Sequence, residues 1–212
     1  MALAPVSTHA AWSGGLEGGT VFRDEGQATR LRLKLQNPVR PFSQYVYLDW
    51  LRTNDGDNAY EAGYLPRYWF SEKIYGFSEA SLRVDRPVQI DSQQLFIVGA
   101  GYQLTSSREQ SLWAEAGVGF RDTTFLDDSE SDDTLALVRA GFHQILTELF
   151  RLELNFDLVD GESLTETTAE AGISVRIPTG AIKFSYRARR LDPDGGETID
   201  DEDTFVSFSY GF

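Results

Sequence analysis

The sequence predicts an all-β protein, a transmembrane up-and-down antiparallel β-barrel of about 12 strands. Three observations predict this fold class. Apolar and polar residues alternate with a period of two in nearly every segment between turn-forming residues. Most segments exceed the five or six residues usual in soluble sheets, and about nine to eleven residues cross a bilayer when tilted. The spacers between segments are consistent with strands that follow one another directly in sequence.

The composition excludes several classes of function. The 212 residues include no Cys, two His and one Met, which excludes disulfides, thiolate metal sites and a Cys nucleophile. A formal net charge of -14 leaves no basic surplus to neutralise phosphates, so nucleic acid is not expected as a partner. No run of about eighteen apolar residues occurs, which excludes a transmembrane helix. Alternating barrel strands would escape that test.

Each predicted strand is an alternating segment bounded by Gly, Pro, Asn, Asp or Ser clusters. The segment 27–37 sets leucines against Arg and Lys, and 112–121 sets Leu, Ala, Val and Phe against Trp, Glu, Gly and Arg. The segment 150–158 sets Phe and Leu against Arg, Glu, Asn and Asp, and 182–189 repeats the pattern. In order, the predicted spans are 11–23, 27–37, 43–53, 59–71, 73–85, 93–106, 110–122, 133–146, 149–159, 165–177, 181–191 and 203–212.

The connections predict the orientation of the barrel. Those after odd-numbered strands are expected to be longer, and they hold most of the acidic residues, as in 122–132 and 192–202. Those after even-numbered strands are short and poor in acid. Outer-membrane barrels have short periplasmic turns and longer extracellular loops, so the acidic loops are expected outside the cell.

The last segment indicates which membrane the barrel enters. Val206, Phe208, Tyr210 and Phe212 share one face of the final strand. This segment resembles the C-terminal signature of bacterial outer-membrane β-barrels. The resemblance implies that these four residues form an assembly signal for the barrel-assembly machinery. It also implies location in the bacterial outer membrane, with outer-membrane lipid and lipopolysaccharide as partners.

One domain is expected, a single transmembrane β-barrel over residues 11–212. Residues 1–10 are expected to be a disordered N-terminal extension that remains after signal removal. The segment Met1-Ala-Leu-Ala-Pro5 lacks both the basic and the apolar region of a signal peptide.

The lumen should hold the charged faces of the strands, because lipid accepts only their apolar faces. We expect more bases than acids there. This balance leaves two interpretations open, a narrow passive channel for small anions or a lumen plugged by paired charges. The expected lumen-lining residues, which form the candidate ion path, are Arg30, Arg32, Lys34, Arg67, Arg83, Glu115, Arg139, Arg151, Glu153, Glu170, Arg176, Lys183, Arg187 and Arg189.

No catalytic residue, metal site or cofactor is predicted. His143 lacks the Ser two residues away that a twelve-stranded outer-membrane phospholipase places beside its His, so a hydrolase is not expected. The acidic loops lack the spacing of a calcium loop, and divalent cations remain open as a partner there. The alternative function is that of a soluble β-barrel binding a small ligand inside. It would require the strands at 150–158 and 182–189 to bury several charges.

The middle of the chain resembles a known family. Glu61-Ala-Gly-Tyr-Leu-Pro-Arg-Tyr-Trp-Phe70, Tyr75-Gly-Phe77, Val98-Gly-Ala-Gly-Tyr-Gln103 and the opening Trp12-Ser-Gly-Gly-Leu-Glu-Gly-Gly19 carry the similarity. They resemble the salt-induced outer-membrane protein family, a YdiY-like domain of unknown function, over residues 12–212. The resemblance implies a non-enzymatic outer-membrane barrel linked to salt or osmotic stress, and it implies no catalytic residue.

Overall fold

A computed structural model of the protein describes residues 12–23, 26–54 and 56–211. In this part of the chain, twelve strands form one closed antiparallel sheet. Each strand pairs with its neighbours in sequence, and the last pairs with the first, which confirms the predicted fold class. The strands are β1 (Ser13–Arg23), β2 (Gly26–Asn37), β3 (Phe42–Thr53), β4 (Asn58–Trp69), β5 (Ile74–Asp85), β6 (Ile90–Ser106), β7 (Gln110–Phe125), β8 (Glu130–Ile145), β9 (Phe150–Gly161), β10 (Leu164–Ile177), β11 (Gly180–Pro193) and β12 (Ile199–Gly211).

The barrel has two distinct ends. At the terminus end β1 begins and β12 ends, and at the loop end the odd-numbered strands finish. A short 3-10 helix, Arg86–Val88, connects β5 to β6 at the loop end. Among the described residues, no helix is long and apolar enough to cross a membrane. The expected extension at 1–10 and the expected signal residue Phe212 lie outside the described residues.

The expected difference in connection length between the two ends is not observed. β7 continues to Phe125 and β8 begins at Glu130, so the acidic segment 122–132 is mostly strand. β12 likewise begins at Ile199, inside the expected loop 192–202. The inward alternation of both strands runs on through these segments to Asp133 and Asp203, which follow them directly. These two acids are 4% and 1% exposed and pair with arginines.

The two faces of the sheet differ sharply in chemistry. The outer face carries exposed apolar side chains, including Val118, Phe120 and Leu82 at 61%, 61% and 59% exposure. The inner face carries buried charged groups such as Glu115 and Arg121, at 2% and 3% exposure. A soluble ligand-binding barrel requires the opposite arrangement, so the structure does not support that alternative. Apolar residues on the outside and paired charges inside are typical of a membrane barrel.

Glycines on the inner face make room for aromatic rings from neighbouring strands. Each ring lies against the backbone of the glycine directly opposite it, where a Cβ would clash with ring atoms. The pairs are Gly63 with Tyr47, Gly101 with Tyr75, and Gly141 with Trp113. These contacts fix three of the strand pairings from inside the barrel.

Candidate functional site: the barrel lumen

Charged side chains of both signs fill the inner face in equal number. In the described residues we count thirteen inward bases and thirteen inward acids, so the expected excess of bases is not observed. The bases are Arg23, Arg30, Arg32, Lys34, Arg67, Arg83, Arg121, Arg139, Arg151, Arg176, Lys183, Arg187 and Arg189. The acids are Glu17, Asp49, Glu61, Glu79, Asp85, Glu115, Asp133, Glu153, Asp157, Glu166, Glu170, Asp201 and Asp203.

Sequence reasoning missed five of these acids and one base. The acidic runs predict loops or strand ends at Asp133, Asp201 and Asp203, although each continues the inward alternation of its strand. The period of two, extended past the acidic runs, would have found them. The other missed residues are Arg23, Asp85 and Glu166.

Apolar residues close the loop end of the lumen. Val88 and Ile90, from the β5–β6 side, pack with Leu164 and Leu191. Leu164 is the first residue of β10, and Leu191 lies near the end of β11. β10 and β11 lie across the barrel from β5 and β6 in the order of the twelve strands. The contact therefore spans the mouth. A second cluster, centred on Val21 and Phe205, covers the adjoining wall.

A network of ion pairs lies beside these two apolar clusters and crosses the lumen. Arg189 on β11 binds Asp85 on β5 at 2.8 Å, and these strands are diametrically opposite in the barrel. Arg83 binds Asp85 at 2.7 Å and reaches Glu166 on β10 at 3.0 Å. Arg189 also binds Asp201 at 3.1 Å. We call Arg83, Asp85, Glu166, Arg189 and Asp201 the plug.

A second network spans β4 to β9 near the middle of the lumen. Arg67 and the hydroxyl of Tyr75 both donate to Glu115 Oε1, at 2.7 and 2.8 Å. Arg139 lies 2.9 Å from Glu79 and 3.6 Å from Glu115. Because the Glu115 side chain is fully buried, Arg67, Tyr75 and Arg139 stabilise its charge in place of bulk water.

A third network joins β2 to β10 across the closing seam of the barrel. Arg32 binds Asp49 at 3.0 Å on β3 and Glu170 at 3.3 Å on β10. Lys183 then links Glu170, at 3.3 Å, to Glu153, at 2.9 Å. The seam strands β1, β12 and β11 are thus bridged from inside by side chains as well as by their backbone ladder.

In the described part of the chain, the terminus end of the lumen contains a cavity that we call the vestibule. This vestibule has a volume of about 930 Å³ and is lined by Arg151, Ser174, Arg176, Ala181 and Ser209, among others. A smaller cavity of about 210 Å³ lies higher up, between the plug and the middle network. The lumen therefore narrows from the vestibule to a closed loop end.

All fourteen predicted lumen-lining residues lie on the inward-facing positions of their strands. Eleven of them form ion pairs within the three networks or beside these networks. Lys34, Arg151 and Arg176, near the terminus end, form no ion pair with another described residue. Their role as an ion path stays a prediction. Of the predicted signal residues, Phe208 and Tyr210 face outward at 44% and 54% exposure, and Val206 shares their face.

The acidic turn at the loop end is stabilised by hydrogen bonds within the turn. Ser129 donates through its backbone N and its Oγ to Asp127, at 3.0 and 2.5 Å, and these hydrogen bonds lower the pKa of the Asp127 carboxyl. Within residues 12–23, 26–54 and 56–211, no group of three His, Asp or Glu could hold a metal ion. Cation binding at the acidic turns stays a prediction.

Solved outer-membrane porins have a similar fold. The NanC porin aligns with a TM-score of 0.60 at 10% identity, over 92% of this chain and 98% of that chain. The KdgM porin, solved in complex with disordered oligogalacturonate, aligns with a TM-score of 0.54 at 10% identity, over 93% and 99%. The outer membrane channel DcaP of Acinetobacter baumannii aligns with a TM-score of 0.51 at 10% identity, over 95% and 96%. At these identities the likeness shows the fold alone.

Sequence comparison identifies the family. No curated protein matches the chain. The family model described as protein of unknown function, DUF481, matches residues 24–212, which include every strand except β1. The resemblance to an outer-membrane barrel family of unknown function is thereby confirmed. The chain belongs to the DUF481 family, and its fold is that of an outer-membrane porin.

Proposed function

We propose that this protein is a non-enzymatic barrel of the bacterial outer membrane whose lumen is closed at rest by the ion-pair plug. Small solutes pass only when the plug opens. The observation that carries the proposal is the pair Arg189–Asp85, which joins opposite walls of the barrel at 2.8 Å. A wide general pore would leave opposite walls separated by water.

The proposal favours a plugged or gated barrel over an open anion channel. Equal numbers of inward bases and acids leave the lumen as a whole with no net charge to select anions. Any anion preference would arise at the vestibule, where bases lack partners. The similarity to porins and to a channel supports passage of small solutes as the kind of activity that this fold performs in other proteins.

The orientation in the membrane is also a proposal. The terminus end would face the periplasm and the acidic turns would face outward, near lipopolysaccharide. Exposed acids on those turns, such as Asp127 and Asp128, could then be bridged to lipopolysaccharide phosphates by divalent cations. Protease or label accessibility at 127–128 on intact cells tests this orientation, and protection of that turn would contradict it.

A link to salt or osmotic stress follows from the family resemblance. A closed lumen would let the envelope keep this barrel without a standing leak of ions. The link predicts that the protein's abundance changes with external salinity. Quantification of the protein in cells grown across a range of salt concentrations tests the link, and constant abundance would argue against it.

Single-channel recording in planar bilayers tests the plug. We expect the unaltered protein to be silent or to open rarely. The double variant Asp85→Ala/Arg189→Ala removes one base and one acid, so the net charge is kept. Each remaining plug residue retains a partner, because Arg83 still binds Glu166 and Asp201 still lies near Arg23. We expect frequent discrete conductance steps from this variant.

The matched control is Arg190→Ala/Asp192→Ala. Arg190 and Asp192 form an exposed ion pair at 3.0 Å on the same strand as Arg189, but it lies outside the lumen. We expect the control to behave like the unaltered protein. Large, stable conductance from the unaltered protein would overturn the proposed plug. So would a double variant that inserts as a folded barrel and stays as silent as the control.

A further inference from the structure

We propose that the vestibule at the terminus end is a binding site for small multivalent anions that carry carboxylate or phosphate groups. This inference goes beyond the proposed gating, because a ligand can bind in the vestibule while the plug stays closed. It rests on where unpaired charge lies in the lumen, on the shape of the wall between those charges, and on the network that closes the vestibule from above.

Unpaired bases in the lumen occur only at this end of the described barrel. Ten of the thirteen inward bases form an ion pair within 4.0 Å. The three exceptions are Lys34, Arg151 and Arg176, which form no such pair and no side-chain hydrogen bond with another described residue. Arg151 and Arg176 line the vestibule, whereas Lys34 does not and interacts electrostatically with Glu153 and Glu170. Each of the other inward bases has an acidic partner. Like charges on the wall of a cleft focus the electrostatic field, so Arg151 and Arg176 give the inner wall of the vestibule a positive potential.

Arg151 and Arg176 are placed to hold the same ligand. Arg151 on β9 lies directly opposite Ser174 on β10, and Arg176 follows Ser174 by two positions on the same face. Such diagonal neighbours have Cα atoms about 7 to 8 Å apart. Two guanidinium groups at this spacing can converge on one carboxylate or phosphate, which each binds through paired N–H donors.

The wall between Arg176 and Lys34 is built mainly from small residues. Going round the barrel, Arg176 lies opposite Ala181, and Ala181 lies opposite Ser209. Gly211 lies opposite Gly15, and Gly15 lies opposite Lys34. Glu17, opposite Ser209, is the one described charged residue between the two bases, and Lys34 does not line the vestibule. The small residues therefore leave space for a ligand beside Arg176.

The described inward acids that flank the vestibule already have partners in the wall. Glu17, opposite Ser209, accepts a hydrogen bond from Ser207. The nearest inward acid on β9, Glu153, is already bound to Lys183 at 2.9 Å. The acids that line the cavity, Glu109 and Glu148, lie on the turns at its rim, together with Arg108. The cavity of about 930 Å³ exceeds the size of a single inorganic anion. A ligand with several ionised groups would therefore use the site better than a monovalent one.

Isothermal titration calorimetry on the purified full-length barrel in detergent micelles at low salt tests the site. The probes are inorganic pyrophosphate, citrate and, as an uncharged comparison, glycerol. The variant is Arg151→Gln/Arg176→Gln, which orphans no partner and should fold. The matched control is Arg52→Gln/Arg86→Gln, which removes two exposed positive charges outside the vestibule and changes the net charge equally.

We expect pyrophosphate and citrate to bind, with at least tenfold weaker binding to the vestibule variant and less than a twofold change in the control. Binding of only one probe with the same loss in the variant supports the site and assigns it to phosphate or to carboxylate ligands. Absence of binding to the unaltered protein overturns the proposal, as does equal binding by the vestibule variant. Neither result depends on conductance, so failure of this site and failure of the plug are distinguishable.

Discussion

Glu115 shows how one side chain organises the lumen. Its carboxylate is fully buried and accepts hydrogen bonds from Arg67 and from Tyr75, while Arg139 lies close on the other side. Removing one partner of a buried ion pair leaves the others desolvated and uncompensated, which costs more than the pair itself contributes. The loss of Glu115 would leave Arg67 without an acidic partner and Arg139 with one acid fewer.

We expect Glu115→Ala to lower the free energy of unfolding by about 3 to 5 kcal/mol. Glu115→Gln keeps an acceptor for Tyr75 but loses the charge, so its effect should be smaller. Urea-induced unfolding in lipid vesicles, followed by tryptophan fluorescence, measures both. Glu72→Ala, at an exposed turn, is the control and should be neutral. Equal stability of Glu115→Ala and this control would contradict the assignment.

The closing seam between β1 and β12 is the element on which the barrel depends. Gly19 lies against the backbone of Val206 and Ser207 on β12, so a Cβ at this position would clash with backbone atoms. Gly15 lies on the same face of the same strand, and a Cβ there would meet its nearest heavy atom, the carbonyl oxygen of Tyr210, at 3.6 Å. Substitutions at the two glycines therefore distinguish a need for close approach of the backbones from a need for backbone flexibility.

Gly19→Ala should destabilise the barrel by about 1 to 3 kcal/mol, because the seam must open to admit the methyl group. Gly15→Ala should change stability little. The temperature at which the folded band is lost in unheated gel electrophoresis ranks the two. If both substitutions are equally mild, the seam is not as tight as described.

The outward face of β12 carries the assembly prediction. Phe208 and Tyr210 are exposed to the outside, whereas Ser207 and Ser209 face inward. If this face is the assembly signal, Phe208→Ala/Tyr210→Ala should reduce the yield of folded barrel in cells several-fold. Ser209→Ala, on the opposite face of the strand, is the comparison. Normal yield from the double variant would show that the signal lies elsewhere.

At the scale of strands, the sequence shows the alternation but not the ends. The period of two is a local property, so segments such as 150–158 can be assigned from a few residues. The predicted strands begin at 133 and 203, whereas β8 begins at Glu130 and β12 at Ile199, because the acidic runs that lead to Asp133 and Asp203 look the same as exposed loops. Only their arginine partners on other strands distinguish them, and those partners are distant in sequence.

The whole molecule combines an uncharged outer band with a charge-balanced interior. Ala116 lies in the middle of the apolar outer face of β7, and Thr124 lies on the same face beyond Asp122. Arg substitutions on a lipid face cost most at the bilayer centre and little near its edge. This dependence turns the position of the membrane into a measurable quantity.

We expect Ala116→Arg to destabilise the barrel by about 2 to 4 kcal/mol and Thr124→Arg by at most about 1 kcal/mol. Unfolding in vesicles of defined lipid thickness measures the difference. The same cost at both positions would place β7 differently in the bilayer or outside it.

Sequence analysis left a channel and a lumen plugged by paired charges open, and it could not tell which charges pair. The fourteen predicted lumen residues could be placed on the inner face by alternation alone. Their pairing could not, because Arg189 and Asp85 are 104 positions apart and meet only through closure of the sheet. The vestibule was missed for the same reason, since an unpaired base is recognised only once all the others have partners.

The pairing of β1 with β12 also has a consequence for how the chain folds. Glu17 and Ser207 meet across this seam although 190 positions separate them. Contacts of such separation carry a large loop-closure entropy, and every other ladder can form between strands adjacent in sequence. The ladder between β1 and β12 is thus expected to form last, after the other eleven ladders are in place. Until this ladder forms, β1 and β12 each have an unpaired edge in the membrane. Closure is therefore the folding step that most needs an assembly factor.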